Sequence, residues 1–427
     1  MKCPVLDSTN VSEHRGWASR IAGWILLSIT FLIVFPISLS AQVDTVWVRR
    51  YNGPGNIGDY AHAIAVDDHG YVYITGGSWG SGTSYDYATI KYYPNGDIAW
   101  VRRYNGPTNG SDEGDVLAVD NSGNVYVTGY SGGPGPYYDC ATIKYYPNGD
   151  TAWVRRYNGP ASYSNEAFAI AVDNLGNVYI TCESEGYGTY ADYATIKYYA
   201  NGDTAWVRRY NGPGNGSDVA HALAADSAGN VYVTGGSHGS GTSLDYATIK
   251  YYASGDTAWI IRYNGPGNWW DDARAIAIDN SCNVYVTGES QGLGGSADYV
   301  TIKYYASGDT AWIIRYNGPG NWWDDARAIA VDNTGNVYVT GHGEGSYQDY
   351  ATIKYVQTTS INEDSARSIK QGIVSTTIFS GPLQLPEGKK CKVFDITGRV
   401  VASDKIQPGI YFVEIDGVVT QKVVKVR

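Results

Sequence analysis

The side chains able to do chemistry are few and widely spread. Histidines stand at 14, 62, 69, 221, 238 and 342, with no HxH or HExxH spacing that would gather a metal. His62 and His221 fall at equivalent places of two homologous stretches and are read as solvated histidines of a first-strand loop. The cysteines Cys3, Cys140, Cys182, Cys282 and Cys391 form no CxxC pair and are too scattered for a zinc site or a disulfide framework, so they are read as unpaired small residues. No strand–helix junction carries a GxSxG elbow, a P-loop or a GxGxxG. Asp271-Asp272 and Asp324-Asp325 have the composition of a glycosidase pair. Adjacent residues on a strand face opposite ways, however, so these carboxylates need not converge. Calcium would suit the acidic loops, but no DxDxDG loop is present. The expectation is a chain that is not an enzyme, with no catalytic residue, no metal and no cofactor.

Aromatic residues give the stronger signal. Trp79, Tyr130, Trp269, Trp270, Trp322 and Trp323 stand in or beside Gly- and Asn-rich loops, close to Asp and Asn. Exposed rings beside hydrogen-bonding groups suit sugars, which present an apolar face and a rim of hydroxyls. These six residues form the expected ligand-binding set. The competing reading is that the Trp pairs pack between sheets.

The elements that must position them follow from an internal repeat. Trp47, Trp100, Trp153, Trp206, Trp259 and Trp312 recur at a spacing of 53 residues, each within W-[VI]-[RI]-R-Y-N-G-P. A second block reads AVDNSGNVYVTG at 118–129, and a third, DYATIKYY, starts at Asp86 with copies at Asp139, Asp192, Asp245, Asp298 and Asp349. Residues Thr248–Ala277 and Thr301–Ala330 are identical, as expected of a module multiplied by duplication. Each copy reads as four strands. In the third copy these are Ala167–Val172, Val178–Thr181, Tyr193–Tyr199 and Ala205–Tyr210. A DxxGN turn joins the first two, with Gly or Asn where φ is positive. Ala, Ile and Tyr alternate with Thr and Lys along the third.

Four strands per 53 residues predict an all-β chain with a six-bladed β-propeller over 42–357, whose neighbouring blades bury one another's faces. The array opens with a fourth-type strand, Trp47–Tyr51, and ends on a third-type strand, Asp349–Tyr355. Closure therefore requires Trp47–Tyr51 to become the outer strand of the last blade, which also removes an open edge. The long loops then share one face. Conserved-position charges such as Lys91, Lys144, Lys197, Arg50, Arg103 and Arg156 are read as guards of the blade edges, paired with Asp86, Asp139 and their equivalents. The sequence DxAxAIAVDxxGNVYVTG, followed by DYATIKYY and W-x-x-x-Y, resembles the bacterial SBBP β-propeller repeat family. That family is nominally seven-bladed and implies no common catalytic set.

The ends of the chain speak to its destination. Lys2, Arg15 and Arg20 precede the apolar run Ile21–Phe35, and Ser38, Ser40 and Ala41 follow it. Residues 1–41 are read as a secretory signal peptide, the only segment expected to meet a membrane, and then only before cleavage. After a polar linker, 358–372, residues 373–427 are expected to form a small Ig-like β-sandwich with strands at Cys391–Asp395, Tyr411–Ile415 and Gln421–Val426. KVFDITGRVV at 392–401, PGIYFVEI at 408–415 and the terminal KVVKVR resemble the C-terminal (Por) sorting domain of type IX secretion. That resemblance implies the type IX machinery as a partner and a secreted or cell-surface location in a Gram-negative bacterium. Residues 42–360 hold 18 basic and 33 acidic residues, a net −15 that repels phosphate backbones, so no nucleic acid is expected. The functional expectation is a non-catalytic scaffold that binds a glycan or a surface protein through its aromatic loops. The alternatives are a polysaccharide hydrolase or lyase, and a purely structural surface-layer module.

Overall fold

The computed structural model describes residues 43–357, apart from 134, 162, 321 and 345–347. It also describes 375–425, apart from 380–382, 384, 386–387, 389, 396–398 and 416–417. The expected signal segment at 1–41 and linker at 358–372 lie outside the described residues. Among the described residues no helix is long and apolar enough to cross a membrane. The chain divides into units Met1–Val48 and Arg49–Arg427. The described residues of the first unit carry no strand.

In the second unit each copy folds into an antiparallel sheet whose strands lie side by side in chain order. The third sheet consists of Asn165–Val172, Val178–Glu185, Ala191–Tyr198 and Thr204–Tyr210. Among the described residues there are five such four-stranded repeat sheets and a sixth with three strands, Asp325–Val331, Val337–Glu344 and Gln348–Tyr355. Local chemistry sets the hairpins. Asp120 Oδ1 accepts from the amides of Ser122 and Asn124, its Oδ2 accepts from Tyr126 Oη at 2.9 Å, and Gly123 takes φ 77°. Cys282 holds the same place in the fifth copy at φ 59°.

Successive sheets bury each other's faces. Tyr73, Tyr87 and Trp100 of the first sheet pack with Val125, Val127, Ala141, Ile143 and Tyr145 of the second. The same partners recur one copy further on. Tyr87 Oη donates to the Ala141 carbonyl at 3.0 Å, Tyr193 to that of Ala247 at 3.2 Å and Tyr246 to that of Val300 at 3.3 Å. Trp100 Nε1 donates to Pro147 O at 3.1 Å, and Trp153 Nε1 to Ala200 O at 3.2 Å. Tyr350 of the sixth sheet lacks such a neighbour among the described residues: it is 96 % exposed, whereas Tyr87, Tyr193, Tyr246 and Tyr299 are 0 % exposed.

Three expectations differ from what the described residues show. Trp47–Tyr51 forms no strand, and the sixth sheet holds three. Its larger-unit residues are tied by side chains to the first sheet instead: Arg49 lies 3.5 Å from Asp97, and Tyr51 Oη accepts from Arg103 at 3.3 Å. Next, the repeat charges do not guard edges. Lys91, Lys144 and Lys197 are buried, each donating to a carbonyl of the next copy at 3.1–3.3 Å, with the Lys144 ammonium 5.0 Å above the Tyr126 ring. Arg103 and Arg156 do pair with Asp86 and Asp139, each at 2.8 Å within its own sheet, and the same guanidinium of Arg156 reaches across to Tyr104 Oη of the first sheet at 3.1 Å. A long side chain can reach across a sheet interface and satisfy its charge there, which edge reasoning overlooks. Finally, the C-terminal module is a single sheet among the described residues. Its order is Ser375–Phe379, Val418–Lys425, Gly409–Ile415 and Cys391–Asp395, and the first pair is parallel. Val393, Ile406, Tyr411 and Val413 form its core, covered by Leu383 and Leu385.

Candidate functional site

The first strand of every repeat sheet carries a β-bulge. In the first sheet Ala61 opposes Gly76 and Ala63 opposes Thr75, which leaves His62 as the extra residue. The bulge recurs around Asp115, Phe168, His221, Arg274 and Arg327. Bulges re-aim a side chain and are common beside functional sites. Here the bulged position differs between copies, reading His, Asp, Phe, His, Arg and Arg. Just before it, a cross-strand pair also differs: Tyr60–Gly77, Glu113–Tyr130, Glu166–Glu183, Val219–Gly236, Asp272–Glu289 and Asp325–His342. An invariant framework thus presents a variable polar rim, because the first strands of neighbouring sheets lie next to each other.

The rim has two halves of different charge. In the fifth and sixth copies arginines neutralise the carboxylates. Arg274 lies 3.0 Å from Asp272 and 3.0 Å from Glu289, and its Nη1 is 3.1 Å from His221 Nε2. Arg327 lies 2.5 Å from Asp325. In the first three copies no arginine occupies the rim. His62 Nδ1 sits 2.9 Å from Asp115, and its Nε2 sits 3.4 Å from Glu113. Burial pushes the Asp115 carboxyl up to about 6, against the pull of the His62 hydrogen bond. Burial also raises Glu166 and Glu183, with neighbouring glutamates adding to the rise. The second oxygens of Asp115, Asp272, Glu289 and Asp325 are buried without a hydrogen-bond partner.

This rim makes a pH prediction. A carboxyl raised in the folded chain costs stability at pH values above its folded pKa, and the cost vanishes below the unfolded value of about 3.9. With Asp115 at about 6, Asp115→Asn should stabilise the apo protein by about 1–3 kcal/mol at pH 7.5. The gain should disappear by about pH 4. Urea midpoints measured across that range check the sign; an asparagine variant less stable at pH 7.5 would contradict it.

The aromatic set is dispersed by the fold. Trp270 and Trp323, 41 % and 42 % exposed, line one open pocket of ≈ 480 Å³ with Arg274, Glu289, Asp325, Arg327 and His342. Trp322 and Trp323 line a second pocket of ≈ 480 Å³ with Gly294, Gly295, Ser296 and Gly320. Trp269 is exposed and lines neither. Trp79 packs edge-on to Tyr85 at 4.9 Å, and Tyr130 to Tyr138 at 4.8 Å, so both serve their own sheets. Asp271 and Asp272 do part company: Asp271 accepts from the Gly265 amide, while Asp272 meets Arg274.

Comparison with known proteins finds distant likenesses. A WD repeat-containing protein of Acanthamoeba polyphaga mimivirus is 22 % identical over an alignment covering 71 % of this chain and 26 % of the viral protein. The chain therefore spans about a quarter of the length of that relative. Among solved structures, the periplasmic gluconolactonase of Pseudomonas aeruginosa shares 13 % identity at a TM-score of 0.41, over 68 % of this chain and 87 % of that one. An ulvan lyase of polysaccharide lyase family 25 shares 10 % identity at a TM-score of 0.41, over 67 % and 78 %. Residues 46–82, 99–136 and 205–241 match the SBBP beta-propeller repeat, so these three stretches of the chain are similar to that repeat.

Proposed function

We propose that the protein is a non-catalytic scaffold that binds a glycan at the pocket between the fifth and sixth copies. The observation that carries this reading is the shared position of Trp270 and Trp323 beside Arg274, Glu289, Asp325, Arg327 and His342. Two half-exposed indoles offer stacking surfaces at little entropic cost, and the charged groups beside them can take up sugar hydroxyls. A glycan array probed with the purified full chain should retain it on at least one saccharide. Trp270→Ala and Trp323→Ala should each weaken that binding about tenfold or more, the usual effect of removing an aromatic anchor. Absence of retention on every glycan would overturn the proposal.

A catalytic reading has one feature in its favour: burial raises both Glu289 and Asp325, which face the same pocket. Turnover on a polysaccharide panel, lost in Glu289→Gln, would assign it.

We further propose that the propeller closes with six blades, Trp47–Tyr51 completing the last. Support comes from Tyr51, which accepts from Arg103 as Tyr104 accepts from Arg156 and Tyr157 from Arg209. The segment thus already stands toward the first sheet as a preceding fourth strand would. Export to the cell surface, through the N-terminal segment and a C-terminal Ig-like type IX sorting domain, is part of the same reading. It rests on the basic-then-apolar start and on the terminal KVVKVR.

A further inference from the structure

The acidic half of the rim lacks the cation that the other half contains. In the fifth copy, the pair Asp272–Glu289 is bridged by the Arg274 guanidinium, 3.0 Å from each. In the third copy the corresponding pair is Glu166–Glu183, and the bulge position that Arg274 occupies is held by Phe168. In the second copy Glu113 stands in the pair and Asp115 at the bulge. Four carboxylates from two adjacent sheets therefore stand at the rim with Asp115 and Phe168 at the bulge positions that Arg274 and Arg327 hold in the fifth and sixth copies. His62, reaching from the first sheet, is the histidine placed among them.

We propose that His62, Glu113 and Asp115 form a divalent transition-metal site of the zinc or manganese class, in which the ion does for this half of the rim what Arg274 does for the other. One ligand atom from each of the three residues lies within 4.8 Å of the other two, which a small ion can draw together. The ligands come from adjacent sheets, so the ion would also join the first sheet to the second. Each imidazole nitrogen faces a carboxylate oxygen, 2.9 Å to Asp115 and 3.4 Å to Glu113. A small rotation of the ring gives one nitrogen to a metal held by both carboxylates. Mixed imidazole and carboxylate ligation selects zinc- or manganese-like ions, whereas calcium and magnesium prefer oxygen throughout. The Asp115 Oδ2 atom is buried without a hydrogen-bond partner, leaving an acceptor free to ligate. Burial of Asp115, costly without a cation, becomes favourable with one. The site is independent of the aromatic pocket, which lies on other copies, and it departs from the expectation of a metal-free chain.

Calorimetric titration of the chelator-treated full chain with Zn²⁺, Mn²⁺ and Ca²⁺ tests this. One equivalent of Zn²⁺ or Mn²⁺ should bind, at least tenfold more tightly than Ca²⁺. Affinity should fall at acid pH, because imidazole and carboxylate ligands must lose their protons to bind a metal. Asp115→Asn and His62→Gln should each weaken binding about 100-fold or more, and neither substitution removes a core group. The same variants, checked by thermal melting without metal, control for folding; the metal-induced rise in melting temperature should be lost in both. No stoichiometric binding, preference for Ca²⁺, or binding unchanged in the two variants would each overturn the site.

Discussion

Replacing Arg209 by leucine should destabilise the protein by about 3–5 kcal/mol, the usual cost of leaving a buried charge without its partner. Arg209 forks between sheets. Its guanidinium lies 2.7 Å from the Asp192 carboxylate, donates to Ser184 Oγ and Ser184 O at 2.6 Å, and reaches Tyr157 Oη of the preceding copy at 3.2 Å. Asp192 is almost wholly buried, so it cannot recover hydration when the arginine is removed. Burial works against the Arg209 charge, but the hydrogen bonds it donates to Tyr157 and Asp192 outweigh it and raise its pKa. Arg209→Lys keeps the charge but loses the fork, and should fall between wild type and leucine. Arg209→Leu with Asp192→Leu should recover much of the loss, because an apolar pair no longer buries an uncompensated carboxylate. Urea unfolding followed by Trp fluorescence reads all four proteins. Amide exchange should show the loss concentrated in the second and third copies, since repeats couple chiefly to their neighbours. A leucine variant within about 0.5 kcal/mol of wild type would mean that this network holds nothing together.

That arginine also shows where sequence reasoning stopped. Strand types and turns were legible because their causes are local: alternation along DYATIKYY, and an Asp whose carboxylate caps its own hairpin in DxxGN. The strands that followed differ from expectation by only a few residues; the second of the third copy runs to Glu185 rather than Thr181. Lys197 and Arg156 read as edge charges in the sequence because partners that satisfy them lie 56 and 52 residues away in a neighbouring sheet, at Ala253 O and Tyr104 Oη. The variable rim was missed for a related reason. A bulge is a property of two strands in register, and strict alternation does not reveal which residue will be left over. A signal did exist. Alignment of the copies at 53 residues shows Ala on both sides of the bulged position in five of six, with His, Asp, Phe, His, Arg and Arg between them. Variation inside an otherwise repeated frame marks the place where the copies do different work. The aromatic loops were easier to see, yet only Trp270 and Trp323 meet in one pocket with the rim.

Exchanging Cys140 for tyrosine should cost about 2–3 kcal/mol alone and very little when Cys182 is changed to glycine at the same time. At the corresponding interface one copy later, Tyr193 stands where Cys140 stands, and Gly235 where Cys182 stands. A Cβ on Gly235 would lie only 2.9 Å from Tyr193 Oη, so a phenol of this kind requires glycine opposite. In the second and third copies both positions have changed together. The smaller Cys140 leaves room, Cys182 fills it, and the Cys182 thiol points at the Ala194 carbonyl at 3.7 Å. That carbonyl is the counterpart of Ala247 O, which accepts from Tyr193 at 3.2 Å. One sulfhydryl therefore replaces one phenol as the group covering a buried acceptor, and both cysteines are wholly buried. Cys140→Tyr alone drives the introduced ring into the Cys182 side chain. Cys182→Gly alone opens a void, adds the backbone entropy of glycine and uncovers the carbonyl, at about 1–3 kcal/mol. Together the two changes rebuild the Tyr193–Gly235 arrangement, and the coupling energy should reach about 3 kcal/mol or more. Urea midpoints of wild type, both single variants and the double variant give that coupling directly. Additive single effects would show that the two sites do not share one space, whereas the mirror exchange, Tyr193→Cys with Gly235→Cys, should be tolerated if they do.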